Sequence, residues 1–335
     1  MGEGRGRDGQ GTGGGRVPLE TWSGLPARVP PGGSVVSVGN FDGVHRGHEA
    51  LVGRVVAWAR QLAATAVVVT FDPHPAAVLA PDRVPPLLTT PAERAARLAH
   101  LGVAALCTLP FDAALAALSA AEFLDRVVAR GLGARGVVAG WDHRFGRDGA
   151  AGGAELASWG EAHGVGVVAE PPVLDGGEPV SSSRIRGALL AGEVGRAARW
   201  LGRPLARSGQ VLPGERRGRR LGFPTANLAV DRRLVWPAPG VYVVTAALAG
   251  GQRLPAVASL GRRPTFGGTE ELLEVHILDW AGDLYGQMLT VEFLDRLRAQ
   301  RRFADAEQLA AQIAADVADA RHRWPAVAAA ASRRE

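Results

Sequence analysis

Short apolar runs constrain this chain more than any other feature. Up to about residue 200 they are four to seven residues long and alternate with stretches of helical periodicity. Val35–Val38, Ala66–Thr70, Val103–Leu109, Gly136–Ala139 and Val165–Ala169 read as strands. They lack an in-and-out alternation, so each is expected to be covered on both faces, as in a parallel sheet flanked by helices. The helices carry their own marks. Gly47 to about Ala64 is one. Thr90-Pro91-Ala92-Glu93 and Ser119-Ala120-Ala121-Glu122 each set a hydroxyl cap three residues before a returning Glu, which predicts two more helix starts.

Near Gly202-Arg203-Pro204 the rhythm changes. Leu205–Leu212, Val241–Leu248, Leu254–Leu260, Leu272–Leu278 and Met288–Leu294 are short strands broken by Gly and Pro, which predicts an antiparallel barrel. A closing helix of about twenty residues puts Leu309, Ile313, Val317 and Trp324 on one stripe, expected to pack on the barrel. The expected organisation is a disordered tail over 1–31, an α/β domain over 32–202 and a β-barrel domain over 203–335.

Composition removes several chemistries. The 335 residues fit two domains, and no apolar run reaches the roughly 18 residues of a membrane span. The Gly- and Arg-rich N-terminus has no apolar signal region, so a cytoplasmic chain without a membrane partner is expected. Cys107 is the single cysteine, which excludes an intramolecular disulfide. The net charge is +5, yet every cation is Arg and there is no Lys. That excludes a P-loop, a protein-kinase lysine and Schiff-base catalysis.

The densest motif is Gly39-Asn40-Phe41-Asp42-Gly43-Val44-His45-Arg46-Gly47-His48, between a buried strand and a helix. The carboxyl edge of a doubly wound sheet binds ligands, and a helix N-terminus suits phosphate. Gly39, Gly43 and Gly47 allow close backbone approach, with Phe41 and Asp42 between them and His45 and His48 on the first helical turn. No Cys or well-spaced third ligand supports zinc here. His-x-Gly-His in this setting resembles the nucleotidyltransferase superfamily, whose members attack the α-phosphate of ATP. Thr70-Phe71-Asp72-Pro73-His74-Pro75, Gly140-Trp141-Asp142-His143-Arg144-Phe145-Gly146 and Ser181-Ser182-Ser183-Arg184-Ile185-Arg186 are expected on the same edge. Each alone is weak. In this order, with the His motif, they resemble the bacterial FAD synthetase family from about Ser34 to the C-terminus.

That resemblance implies a Rossmann-like N-terminal domain in which His45 and His48 hold the ATP phosphates. Ser182 and Arg186 would grip them from the far side, and Asp142 and His74 would face flavin or nucleotide. His143 departs from the aromatic residue expected there.

A second motif runs from Gly214 through Arg219 and Phe223-Pro224-Thr225-Ala226-Asn227. Gly214, Gly218 and Gly222 make a basic, flexible loop able to wrap a nucleotide. Thr225 and Asn227 offer neutral oxygens suited to Mg²⁺ shared with phosphates. Leu273-Glu274-Val275-His276 adds a carboxylate on a later strand. Pro-Thr-Ala-Asn followed by Glu-x-His resembles riboflavin kinase. The resemblance implies Thr225 and Asn227 as Mg²⁺ ligands, Glu274 as general base and Arg298 near the flavin. ATP would be co-substrate, with riboflavin, FMN and FAD as substrates and products.

Other readings stay open. The N-terminal chemistry could serve phosphopantetheine or a nicotinate nucleotide, although those acceptors need no attached flavin kinase. A nucleic-acid-binding barrel would explain the Arg-rich loop but not His-x-Gly-His, and it lacks interleaved aromatics for base stacking. No nucleic-acid partner is therefore expected. Gly131-Leu132-Gly133-Ala134-Arg135-Gly136 fits a dinucleotide pattern but precedes a strand, the reverse of the required order, so it reads as a helix end.

Overall fold

A computed structural model describes residues 18–213, 218, 221–265 and 268–333. The chain splits into two compact units, each discontinuous in sequence: Met1–Gly39 with Leu51–Pro75 and Ala95–Ala169, and Asn40–Ala50 with Ala76–Arg94 and Glu170–Glu335.

The first unit is built on a six-stranded sheet. Its strands are β1 Glu20–Ser23, β2 Ser34–Val38, β3 Thr65–Asp72, β4 Ala105–Pro110, β5 Ala134–Gly140 and β6 Gly166–Glu170, in the order β1-β4-β3-β2-β5-β6. The pairs β1–β4, β3–β4, β2–β3 and β2–β5 are parallel. Val35, Val36, Val67, Val68 and Val69 are fully buried, as unalternated runs require. Strand order reverses at β2, so the switch point of the sheet lies where β2 and β5 end. Those ends release the segments that begin at Gly39 and Trp141.

The disorder expected over 1–31 needs correction. Glu20–Ser23 pairs with Ala105–Thr108 at the sheet edge, and Trp22 packs on the core there. The open edge of β4 supplies backbone partners that a polar, Gly-rich composition does not reveal. Residues 1–17 lie outside the described residues.

Helix α1 spans Arg46–Gln61 and buries Leu51, Val52, Val55, Val56 and Ala59 on one stripe. Helix α2, Pro91–His100, starts at a reciprocal box: Thr90 N–H donates to Glu93 at 2.8 Å and Glu93 N–H donates to the Thr90 hydroxyl at 3.2 Å. Ser119 and Glu122 form the same box ahead of α3, which runs through Ala120–Phe123 and winds as a π-helix over Leu124–Gly131. Gly133, at φ +56, ends that helix before β5. Helix α4 is Gly153–His163.

The second unit carries a small hairpin, β7 Leu174–Asp175 with β8 Glu178–Pro179, and helices α5 Ser182–Leu190 and α6 Val194–Leu201. A closed barrel follows, with strands β9 Leu205–Leu212, β10 Ala226–Ala229, β11 Gly240–Leu248, β12 Arg253–Thr265, β13 Gly268–Ile277 and β14 Met288–Ala299. Every neighbouring pair is antiparallel. Tyr242, Val244, Ala258, Leu273, Val275, Val291 and Phe293 share one core with Ile185, Leu189, Trp200 and Leu201. Packing thus groups α5 and α6 with the barrel, although the sequence rhythm changes only after them.

Alternation along the strands sends a second set outward. Val241, Val243 and Val257 meet Val317 and Ala320 of helix α7, Ala306–Ser332, with Ile313 and Trp324 packed alongside. No described helix is long and apolar enough to cross a membrane.

Phe293 is fully buried and meets the rings of Tyr242 and Trp236 edge-on at 5.3 and 6.5 Å. Phe293→Ala is expected to cost about 3–5 kcal/mol. Urea unfolding followed by Trp fluorescence measures it, since Trp236 belongs to the same core.

Candidate active sites

The segment between β2 and α1 folds sharply. Phe41 and Val44 take φ of +47 and +38, a region that non-glycine residues seldom occupy, and Gly43 takes +86. At Gly43 a Cβ would stand 2.8 Å from the Leu88 side chain. His45 then caps α1, its carbonyl accepting from Glu49 N–H at 2.9 Å.

His45 and His48 form a reciprocal box of their own. His48 N–H donates to His45 Nδ1 at 3.3 Å, and His45 N–H donates to His48 Nδ1 at 3.4 Å. Both Nδ1 atoms are thus acceptors, which puts the proton of each neutral ring on Nε2. The rings stack at 3.7 Å between centroids and 17° between planes. Gly47 makes room for this, since a Cβ there would lie 3.2 Å from the His45 ring. Phe41 packs tilted against His48 at 5.1 Å. Burial lowers the His45 pKa to about 4, opposed by Asp42 and assisted by Arg203 and Arg186. Burial first, then His45 and Arg94, holds His48 well below the ordinary histidine value. The site therefore presents two neutral imidazoles, each with its proton on Nε2, at a helix N-terminus.

Three residues expected on phosphate are committed elsewhere. The Asp42 carboxylate is 2% exposed. It accepts from Leu88 N–H at 2.9 and 3.0 Å, from Thr89 N–H at 3.1 Å and from the Thr89 hydroxyl at 3.3 Å. Arg186 Nη2 reaches it at 2.5 Å, while Arg186 Nε donates to the Pro86 carbonyl at 2.8 Å. Ser182 Oγ donates to the Asp42 carbonyl at 2.9 Å. Asp42, Ser182 and Arg186 thus fasten the loop that carries the imidazoles. Thr89, Arg94 and Arg203 do the same and were not singled out from the sequence: they bond Gly43 N–H, the Asn40 carbonyl, and the Gly43 and Val44 carbonyls. Their partners lie 46 to 160 residues away, so no local spacing marks them.

In the first unit, Gly39 N–H donates to the Val69 carbonyl at 3.0 Å, closing the β2–β3 pairing. The parallel sheet sends the segments after β2, β3 and β5 to one edge, which places Gly39, His74 and Asp142 there. Asp142 is exposed, and burial lowers the pKa of His143, against the pull of Asp142.

On the barrel, Asn227 of β10 lies directly opposite Glu274 of β13, and Glu274 opposite Ser259 of β12. Facing residues of an antiparallel pair project to the same side, here the outer side that α7 partly covers. Two cavities meet at Thr225 and Asn227. One, of about 270 Å³, is lined by Phe223, Glu274, Arg298, Phe303, Leu309 and Ile313 among others. The other, of about 400 Å³, is lined by Pro224, Trp280, Asp283, Leu284 and Tyr285 among others. His276 is fixed by its Nδ1 at 2.8 Å from the Pro224 carbonyl.

Arg298 borders the smaller cavity, but its guanidinium is clamped on Asp316 of α7 at 2.7, 2.9 and 3.1 Å. Asp316 and Gln312, which braces it at 2.8 Å, gave no sequence signal beyond lying on the closing helix. Gly218 sits where a Cβ would stand 2.3 Å from the Phe223 carbonyl and 3.2 Å from Thr225 Oγ1, and Gly222 takes φ +87. Gly214 and Arg219 lie outside the described residues.

The neutral His45 makes stability depend on pH in a defined sense. Its folded pKa, about 4, is below its unfolded value of 6.5, so the unfolded chain binds the extra proton between them. Stability from this residue is complete above about pH 6.5 and falls toward pH 4, by roughly 3 kcal/mol in all. His45→Asn keeps an acceptor without the titration. Its unfolding free energy is expected to lose that much less than the wild type's across the window, as read by urea titration at each pH.

Residues 28–184 match the family model for FAD synthetase, and residues 201–324 that for riboflavin kinase. The bifunctional riboflavin kinase/FMN adenylyltransferase of Pseudomonas fluorescens is 43% identical over 86% of this chain and 92% of its own length. The protein of that name from Escherichia coli K12 is 38% identical over 88% and 94%. A solved structure described as a macrolide-efflux protein from Streptococcus pneumoniae has a TM-score of 0.82 and 36% identity, covering 90% of this chain and 98% of that one. With relatives this similar over nearly their whole length, the chain belongs to the bifunctional riboflavin kinase/FMN adenylyltransferase family.

Proposed function

We propose that the chain makes FMN from riboflavin and FAD from FMN, using ATP in both steps, and that the two chemistries belong to the two constellations described above. The observation that carries this reading is that one chain holds two separate sets of groups, each suited to a different phosphoryl position of ATP.

For adenylyl transfer the FMN phosphate attacks the α-phosphorus and pyrophosphate leaves. No protein nucleophile is needed; the demand is for donors where negative charge develops. His45 and His48 supply two Nε2–H donors, fixed in orientation by their Nδ1 bonds, at the positive end of α1. Ser182, Arg186 and Asp42 act by holding this loop. His74 and Asp142, at the sheet edge, are proposed to meet the flavin or nucleotide.

For the kinase, the smaller cavity with Phe223, Phe303, Leu309 and Ile313 suits an isoalloxazine ring, and the larger one, with Tyr285 and Asp283, suits the nucleotide. Their shared wall, Thr225 and Asn227, is where the phosphates and the ribityl hydroxyl would meet. Thr225 and Asn227 present neutral oxygens there and fit Mg²⁺ held jointly with phosphate, which would offset charge on the transferred group. Glu274, in register with Asn227, takes the proton of the ribityl 5′-hydroxyl as it attacks the γ-phosphorus. Gly214, Gly218, Arg219 and Gly222 belong to the loop proposed to cover the nucleotide, and Arg298 orders the flavin end through Asp316.

Incubation with riboflavin, ATP and Mg²⁺, with flavins resolved chromatographically, tests the reading. FMN is expected first and FAD later. His48→Ala is expected to lower FAD formation at least 100-fold while FMN accumulates. Glu274→Ala is expected to lower FMN formation about 100-fold or more while supplied FMN still becomes FAD. Loss of both steps in a folded His48→Ala protein would overturn the division. Asn227→Ala is expected to raise the Mg²⁺ concentration that half-saturates the kinase, with FAD formation from FMN unchanged at each Mg²⁺ level.

A further inference from the structure

Arg207, on β9, is 2% exposed, and no carboxylate among the described residues pairs with its guanidinium. Backbone carbonyls take that place: Ala206 at 2.8 Å, Leu88 at 3.2 Å and Val235 at 2.5 Å. The face of the Trp236 ring lies 5.6 Å away, and Arg207 Nε has no partner. Burial lowers the pKa to about 10, opposed at longer range by the charges of Glu93, Asp42 and Asp231, so the group remains charged at neutral pH. A buried cation left on carbonyls is costly, and a barrel core would be served as well by an apolar side chain.

The partners show what the charge does. The peptide group joining Leu88 to Thr89 accepts from Arg207 at its carbonyl and donates from its N–H to Asp42 Oδ1 at 3.1 Å. Cation, peptide and carboxylate form one chain of hydrogen bonds in which each polarises the next. Asp42 lies between Phe41 and Val44, the residues at positive φ, and three positions before His45. The same segment is tied to the barrel by Leu87 N–H to the Arg233 carbonyl at 2.7 Å and Val235 N–H to the Leu87 carbonyl at 2.8 Å. All of these residues belong to the second compact unit.

We propose that Arg207 is a positioning residue for adenylyl transfer, holding the His45–His48 pair in register through the Leu88–Thr89 peptide and Asp42, although it sits on a strand of the barrel that carries the kinase groups. This rests on the reading of His45 and His48 as the adenylyl-transfer donors. The barrel then contributes to both steps: Thr225, Asn227 and Glu274 from its outer face to the kinase, and Arg207 from its core to the other site.

The test uses the full chain with Arg207→Met, which keeps the packing on Trp236, and Arg207→Lys, which keeps a charge. FMN formation from riboflavin in each variant reports that the barrel is folded. Arg207→Met is expected to lower kcat for FAD formation from FMN at least 10-fold, with FMN formation within twofold of wild type. Arg207→Lys is expected to recover part of the loss. The ¹⁵N signals of the His45 and His48 rings should shift in Arg207→Met, whereas a role confined to barrel packing would leave them in place. FAD formation within twofold of wild type in Arg207→Met, with unshifted rings, would overturn the proposal. A parallel fall in both activities would overturn it too, by showing a general loss of the barrel. His48→Ala is run alongside: if it still makes FAD at the wild-type rate, the reading of the imidazoles has failed and the proposal falls with it. If only the Arg207 variants behave normally, the proposal fails alone.

Discussion

A carboxylate that is 2% exposed is tolerated only when its oxygens are filled, and at Asp42 they are filled by two backbone N–H groups, a hydroxyl and a guanidinium. Around that anion the chain can do what is otherwise unfavourable. Phe41 and Val44 occupy left-handed backbone conformations on either side of it, and the rings of His45 and His48 stack. Removing Arg186 alone would leave the buried anion without its cation. The strained loop and the neutral imidazoles are thus one arrangement, fixed by the pairing of Asp42.

The barrel solves its own problem by period two. Inward residues such as Tyr242, Leu273, Val275 and Phe293 fill the interior, so the outward residues are free to carry polar groups or a covering helix. On β13 the inward Leu273 and Val275 flank the outward Glu274, and on β10 the inward Leu228 follows the outward Asn227. The helix that covers the outer face is clamped at Arg298–Asp316, beside the cavity that Leu309 and Ile313 line. On β10 and β13 the packing residues and the proposed kinase groups therefore share strands without sharing faces.

What could be read from the sequence follows from this physics. The doubly covered strands β2 and β3, the capping boxes at Thr90 and Ser119, and the stripe of Ile313, Val317 and Trp324 are local patterns, and each appears where its spacing placed it, whereas the strand expected over Val165–Ala169 is the half-exposed edge strand β6, not a doubly covered one. His45, His48, Thr225, Asn227 and Glu274 stand out in the sequence because they sit in compact motifs. The edge strand Glu20–Ser23 was hidden, because its stability comes from the open side of β4 and not from its own residues. The duties of Asp42, Ser182 and Arg186 were hidden for the same reason: the Arg186–Asp42 bond spans 144 residues, and a motif shows which residues gather but not which of them face one another.

In the proposed adenylyl transfer, neutral imidazoles set the limits within which the His site works. An imidazolium would attract phosphate more strongly, but charging either ring here means placing a cation beside another ring in a buried stack, near Arg203 and Arg186 for His45 and near Arg94 for His48. The fold avoids that by using both Nδ1 atoms as acceptors for backbone N–H groups, which fixes both tautomers and aims both protons along Nε2. Donors held this way need no reorganisation when charge develops on a phosphoryl oxygen, and fixed dipoles in a partly dehydrated site are where such donors are most effective. The same geometry explains Gly47: a Cβ there would stand 3.2 Å from the His45 Cε1 and Nδ1 atoms and press on the ring whose Nδ1 contact orients the donor.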